Sequence, residues 1–155
     1  MAFTNSNDYL DGRKPLPEPA GGEVVCVRFP LALVAADLDA NDIGKIGKLP
    51  AGCIPVDVKF DADDLDTNGA PTIAASVGIL NATLDDISTA TADGGAAWGT
   101  GLTTAQAGGQ TVVTSKALSR VQAAAADRFI GVKFTAASAT KAAGNIGLTV
   151  AYAKA

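Results

Sequence analysis

The stretch CIPVDVKFDADDLD, residues 53–66, does most to limit what this chain can fold into. Ile54, Val56, Val58 and Phe60 alternate with Asp57, Lys59 and Asp61. A period of two puts the first set on one face of a β-strand and the second on the other. Asn68-Gly69 follows, the pair suited to a tight hairpin turn, so PTIAASVGIL (71–80) is expected to return as the partner strand. Other short apolar or alternating runs have the same character: EVVCVRFP and LALVAADL, divided by Pro30, then TVVTS, RFIGVKFTAAS and NIGLTVAYAKA. In the last of these Ile146, Leu148, Val150 and Tyr152 define one face. The final two runs are joined by ATKAAG, a Gly-containing turn. Seven or eight short strands with no βαβ alternation predict an antiparallel all-β sandwich or barrel.

Three stretches are less regular. DLDANDIGKIGKLPAG (37–52) reads as a loop holding at most one helical turn. NATLDDISTATADGGAAWGTGLTTAQAGG (81–109) reads as a long surface loop anchored by Trp98. SKALSRVQAAAAD (115–127) is open: its Ala content favours helix, while its place among strands argues against one. Residues 1–22 stand apart from the domain expected over 23–155. Pro15, Pro17 and Pro19 favour extended chain, and Gly21-Gly22 follows. The segment is either a disordered start or an arm, up to about 70 Å long when extended, lying on a neighbouring subunit. Phe3, Tyr9, Leu10, Arg13 and Leu16 are then its contact residues.

Composition excludes several functions. The 155 residues include no histidine, which removes the commonest general base near neutral pH and the commonest metal ligand. No nucleophile elbow, phosphate loop or dinucleotide fingerprint is present, so no enzyme activity and no cofactor are expected. A net charge of −4 with scattered Lys and Arg opposes direct nucleic-acid binding. No apolar run reaches the roughly 18 residues that span a bilayer, and the first residues do not resemble a secretion signal. Asn81-Ala82-Thr83 is therefore read as a chance sequon. Cys26 and Cys53 would pair only if their strands are neighbours; two reduced thiols are expected.

DADDLDTNG is the strongest candidate site. Asp64, Asp66, Asn68 and Gly69 match the first half of an EF-hand loop. The second half fails, because Ala75 stands where a bidentate glutamate belongs and Pro71 interrupts the exit. A divalent ion held by Asp61, Asp63, Asp64 and Asp66 is the one metal reading on offer. The preferred reading is no metal, only a solvated strand end whose charges discourage edge pairing. Asp57, Asp61, Asp63 or Asp85 could supply paired carboxylates for glycoside hydrolysis, but nothing singles out a pair.

Three features together resemble a known family: the proline-bearing N-terminal segment, the phrase KLPAGCIPVDVKFDADDLDTNGAPTIAASVGIL, and the ending ADRFIGVKFTAASATKAAGNIGLTVAYAKA. The chain resembles the decoration, or cement, proteins on the heads of tailed bacteriophages. The resemblance implies a jelly-roll-like antiparallel β-sandwich with an extended N-terminal arm, and a closing Gly-containing hairpin. It also implies docking on the major capsid protein of an assembled shell as a homo-dimer or homo-trimer, with assembly in the host cytoplasm and no catalytic residue. The alternative class is a β-sandwich binding module for carbohydrate or receptor on a phage tail or fibre.

Overall fold

Strands form where β-branched and aromatic residues alternate, and there are eight of them in the computed structural model, which describes residues 1–155. They are β1 (Val24–Leu33), β2 (Ile43–Leu49), β3 (Cys53–Ala62), β4 (Ala74–Ile79), β5 (Gly99–Leu102), β6 (Gly109–Val113), β7 (Arg128–Ala136) and β8 (Gly144–Lys154). Two four-stranded sheets result, ordered β1-β8-β3-β6 and β2-β7-β4-β5. Every ladder is antiparallel. The pairs β4/β5, β3/β6, β2/β7 and β1/β8 are those of one long hairpin, rolled so that successive pairs fall in alternate sheets. That is the jelly roll, and the fold class expected above is the one found.

The core lies between the sheets. Ile146, Leu148, Val150 and Tyr152 of β8 are all fully buried, facing Ile130, Val132 and Phe134 of β7. Phe29 of β1 and Phe60 of β3 fill the same layer, and Trp98 closes it from the long β4–β5 connection.

Several sequence-based expectations are corrected. Val56 does not share the inward face with Val58 and Phe60. The β3–β8 register shifts between Pro55 and Asp57, a bulge that turns Val56 outward, leaving it 54% exposed. Cys53, Pro55, Val58, Phe60 and Ala62 point inward instead. Asn68-Gly69 makes no hairpin, because β3 already pairs with β8 and β6 and the chain crosses to the other sheet. The segment between β7 and β8 also crosses sheets rather than forming a hairpin. Pro30 does not divide two strands; it lies within β1, an edge strand where its missing N–H is tolerated.

IGKIGKL, expected as loop, is β2. Its apolar residues Ile43, Ile46 and Leu49 recur every three positions because the β2–β7 register shifts between Lys45 and Gly47, which hides the period of two. Glycine is needed at position 44, since a Cβ there would collide with the Phe3 ring. The open 115–127 segment holds one helical turn, α1 (Lys116–Ser119), started by Ser115, whose Oγ accepts the Leu118 N–H at 3.2 Å. The alanines beyond form no helix, and three of the four are exposed.

Candidate functional site

Residues 1–20 lie along the chain's own sandwich, over the seam between β1 and β2. The Phe3 N–H donates to the Ile43 carbonyl at 3.1 Å, and its ring meets Phe134 at 5.7 Å between centroids. Tyr9 packs edge-on to Phe29 at 5.1 Å, with the Lys14 ammonium 5.0 Å over its ring. Leu16 also rests on the core. Leu10 is half-buried, and Arg13 is exposed, 3.6 Å from Asp8. Of the five candidate contact residues, three are therefore engaged internally.

Sequence reasoning missed Asn5 and Asn7. Buried Asn7 donates its amide to Pro30 O at 2.9 Å and Ile46 O at 2.8 Å, bridging the two edge strands. Asn5 donates to Ala32 O at 2.9 Å. The signal was the N-S-N spacing, since alternate amides can match alternate strand carbonyls. Farther on, the Tyr152 hydroxyl donates to the Pro17 carbonyl.

The acidic cluster disperses into separate jobs. Asp61 binds Arg28 bidentately, with Nη2 to Oδ2 at 2.5 Å. The pair spans β8 over Gly147, where a Cβ would strike both side chains; the hydrogen bond to Asp61 raises the guanidinium pKa. Asp63 accepts the Asn145 N–H at 2.7 Å, and Asp64 accepts the Asp66 N–H at 3.1 Å. Asp66 is buried and accepts four backbone N–H groups, from Thr72, Ile73, Ala139 and Thr140. Burial pushes its carboxyl up, but the four donors outweigh that and hold it well below the usual carboxylate range. No three acidic or thiol side chains form a metal-type group.

Asp57 and Asp85 lie on different sheets' outer sides and form no catalytic pair. Asp85 closes a turn with Thr83 and Asn81, whose hydrogen bonds lower its pKa. The thiols do not meet. Cys26 is exposed on β1, Cys53 is buried on β3, and β8 runs between them.

Arg128, the arginine of the D-R-F-I-G-V phrase, organises the long connections. It donates to Asp93 Oδ1 at 2.8 Å and to the carbonyls of Ala92 and Gln122 at 3.2 and 2.7 Å. Ser88 Oγ donates to the other Asp93 oxygen at 2.6 Å. These bonds hold residues 88–98 and 119–124 against the β3–β7 end of the sandwich.

The two outer faces differ. Residues 80–98 cover the β7–β4 part of the second sheet, with Leu80 seated on Gly131 and Ile87 on Gly78. The first sheet is open. Its register aligns Val24, Ala153 and Ile54 in one row, and Cys26, Ala151 and Asp57 in the next, with bulged Val56 beside them. Val24 is 57% exposed. Below them Arg28, Thr149, Lys59 and Val112 make a mixed row. The arrangement leaves exposed apolar side chains on this face beside the charges of Asp57, Arg28 and Lys59.

No protein-family model matches the chain, and no curated protein does. Two solved structures do. A chain in the capsid of Ralstonia phage GP4 is 36% identical, with 97% of each chain covered and a TM-score of 0.80. The chain belongs to this family of phage-capsid proteins. A chain of the cyanophage Pam1 capsid asymmetric unit is 25% identical over 96% of each chain, with a TM-score of 0.64. The GP4 match runs nearly the full length of this capsid protein, so it takes in most of the N-terminal segment as well as the sandwich. As a member of a phage-capsid family, this chain is a structural component of the virion.

Proposed function

We propose that this capsid protein decorates the outside of an assembled phage head and stabilises the lattice, binding the major capsid protein as a homo-dimer or homo-trimer after assembly in the host cytoplasm. The observation that carries this reading is the match to a phage-capsid chain over 97% of both lengths. The surfaces favour decoration over building the shell itself. The N-terminal segment seals much of the seam between the edge strands, and residues 80–98 cover the β7–β4 part of one sheet, leaving the other sheet's face open. A shell tile needs contacts around its whole perimeter, whereas a decorator needs one docking face.

Decoration stabilises by linkage. A protein that binds the intact lattice more tightly than loose subunits shifts the equilibrium toward the lattice. Nothing in this role requires catalysis or a cofactor. A carbohydrate-binding role on a tail or fibre is less well supported, because Trp98 and Tyr152 are fully buried and offer no aromatic platform.

The test mixes purified protein with undecorated capsids. Co-sedimentation at saturating stoichiometry, together with a raised capsid melting temperature, is expected. Val56→Asp, a charge on the exposed bulge, should weaken binding at least tenfold while leaving the fold intact. Absence of co-sedimentation with the cognate shell would overturn the proposal.

A further inference from the structure

β1 is an edge strand, and only part of its edge is closed. In an antiparallel ladder alternate residues direct both N–H and C=O to the same side. The carbonyls of Pro30 and Ala32 accept amides from Asn7 and Asn5, so the even-numbered residues of β1 face away from β8. Val24, Cys26 and Arg28 share that parity. None of their backbone groups is bonded to the N-terminal segment, and their side chains are exposed. The strand's outward backbone groups are therefore capped over Pro30–Ala32 and without a hydrogen-bond partner over Val24–Arg28. That open sequence, V-V-C-V-R, has strong strand propensity.

We propose that the open half-edge Val24–Arg28 pairs with the same segment of a second copy, antiparallel and centred on Cys26. This deepens the oligomer part of the function proposed above, and it is tested without capsids, so the two readings fail separately. Reversed on itself, the segment is self-complementary. Cys26 lies beside Cys26 of the second copy, and Val24 lies beside Arg28 of the second copy at both ends. No like charges oppose each other, and the outward N–H and C=O groups of all three pairs are satisfied. Such a two-fold contact uses the same patch on both copies.

The surroundings suit this pairing. Gly21 and Gly22, just before β1, have no neighbouring atoms where a Cβ would stand. Pro30 has no N–H to offer, and the asparagine caps occupy the next carbonyls, so pairing stops after five residues. The row Cys26-Ala151-Asp57 of each copy then runs on into the same row of the other across the pair.

The register carries a chemical reporter. Directly opposed residues in a hydrogen-bonded antiparallel pair have Cα atoms about 5.5 Å apart, inside the roughly 4.4–6.8 Å span of a disulfide. Diamide should oxidise the two thiols to a disulfide, itself being reduced, and give a covalent dimer on a non-reducing gel. Cys26→Ser should abolish that band yet keep the non-covalent dimer in sedimentation velocity.

Two further variants read the register. Val24→Lys sets a lysine beside Arg28 of the second copy and should weaken the dimer at least tenfold. Val24→Asp should tighten it. Cys26→Pro removes only an outward N–H, as native Pro30 does, and should leave a folded monomer by circular dichroism. A wild-type protein that stays monomeric at high micromolar concentration would overturn the proposal, and so would weakening of the dimer by both Val24 variants. If Cys26→Pro fails to fold, the opposite signs of the Val24 pair still decide.

Discussion

The carboxylate of Asp66 accepts the backbone N–H of Thr140 at 2.8 Å, joining loops 74 residues apart in the chain. Both loops cross between the sheets at the same end of the sandwich. Three more N–H groups converge on the same side chain, so Asp66 does for these crossings what a hairpin turn would do for adjacent strands.

Asp66→Asn should therefore destabilise the fold. An amide offers one acceptor oxygen where two are used, and it turns an NH2 group toward an N–H donor. About 3 kcal/mol is expected, or roughly a 6–12 °C drop in melting temperature for a chain of this size. The carboxyl's pKa lies below its ordinary 3.8 in the folded state, so its contribution is present above that pH and is lost as pH falls beneath it. Thermal melts at descending pH should show the wild-type advantage over Asp66→Asn narrowing below about pH 3.8.

Tyr152→Phe removes the hydroxyl that holds Pro17 while keeping the buried ring. A loss of about 1 kcal/mol is expected, with faster hydrogen exchange and proteolysis confined to residues 14–20. Burial raises the phenol pKa above its ordinary 10.0. The stability it contributes is full below pH 10 and declines as pH rises beyond it. Alkaline melts should show wild type losing stability above pH 10 more steeply than Tyr152→Phe.

Arg128→Met should cost about 2–3 kcal/mol, because it strands a mostly buried Asp93 and two backbone carbonyls. The signature is regional. Hydrogen exchange should accelerate across residues 88–98 and 119–124, while the β1/β8 ladder stays protected.

The thiols should separate by accessibility. Iodoacetamide on the native protein should add one label, at Cys26, and unfolding should expose the second. Burial raises the Cys53 pKa as well, which slows its reaction further. Mass spectrometry of the two states decides, and labelling of Cys53 in the native state would contradict the packing of β3.

Much of the sandwich was legible because its strands carry their burial in an alternation of single residues. β8 is the clearest case: Ile146, Leu148, Val150 and Tyr152 share one face as read, and that face is the inward one. Where a bulge changed the count, as at Val56 or Ile46, the period of two broke and the reading broke with it. The turn chemistry was real but misassigned. Asn68 does organise a local turn, accepting the Ala70 N–H at 2.9 Å, yet its strands part to different sheets. The acidic residues stand out in the sequence, but their partners Arg28, Asn145, Thr72 and Thr140 lie up to 82 residues away.

Residue type and near-neighbour spacing alone are enough to give the all-β class and the core face of β8, and the chain carries no histidine. Tertiary structure alone decided which strands pair, that the N-terminal segment lies over the β1–β2 seam, and that half of one edge stays open. Hydrogen bonds between strands are made by backbone groups that every residue carries. Their partners follow from how the long hairpin rolls up, and no local pattern encodes that.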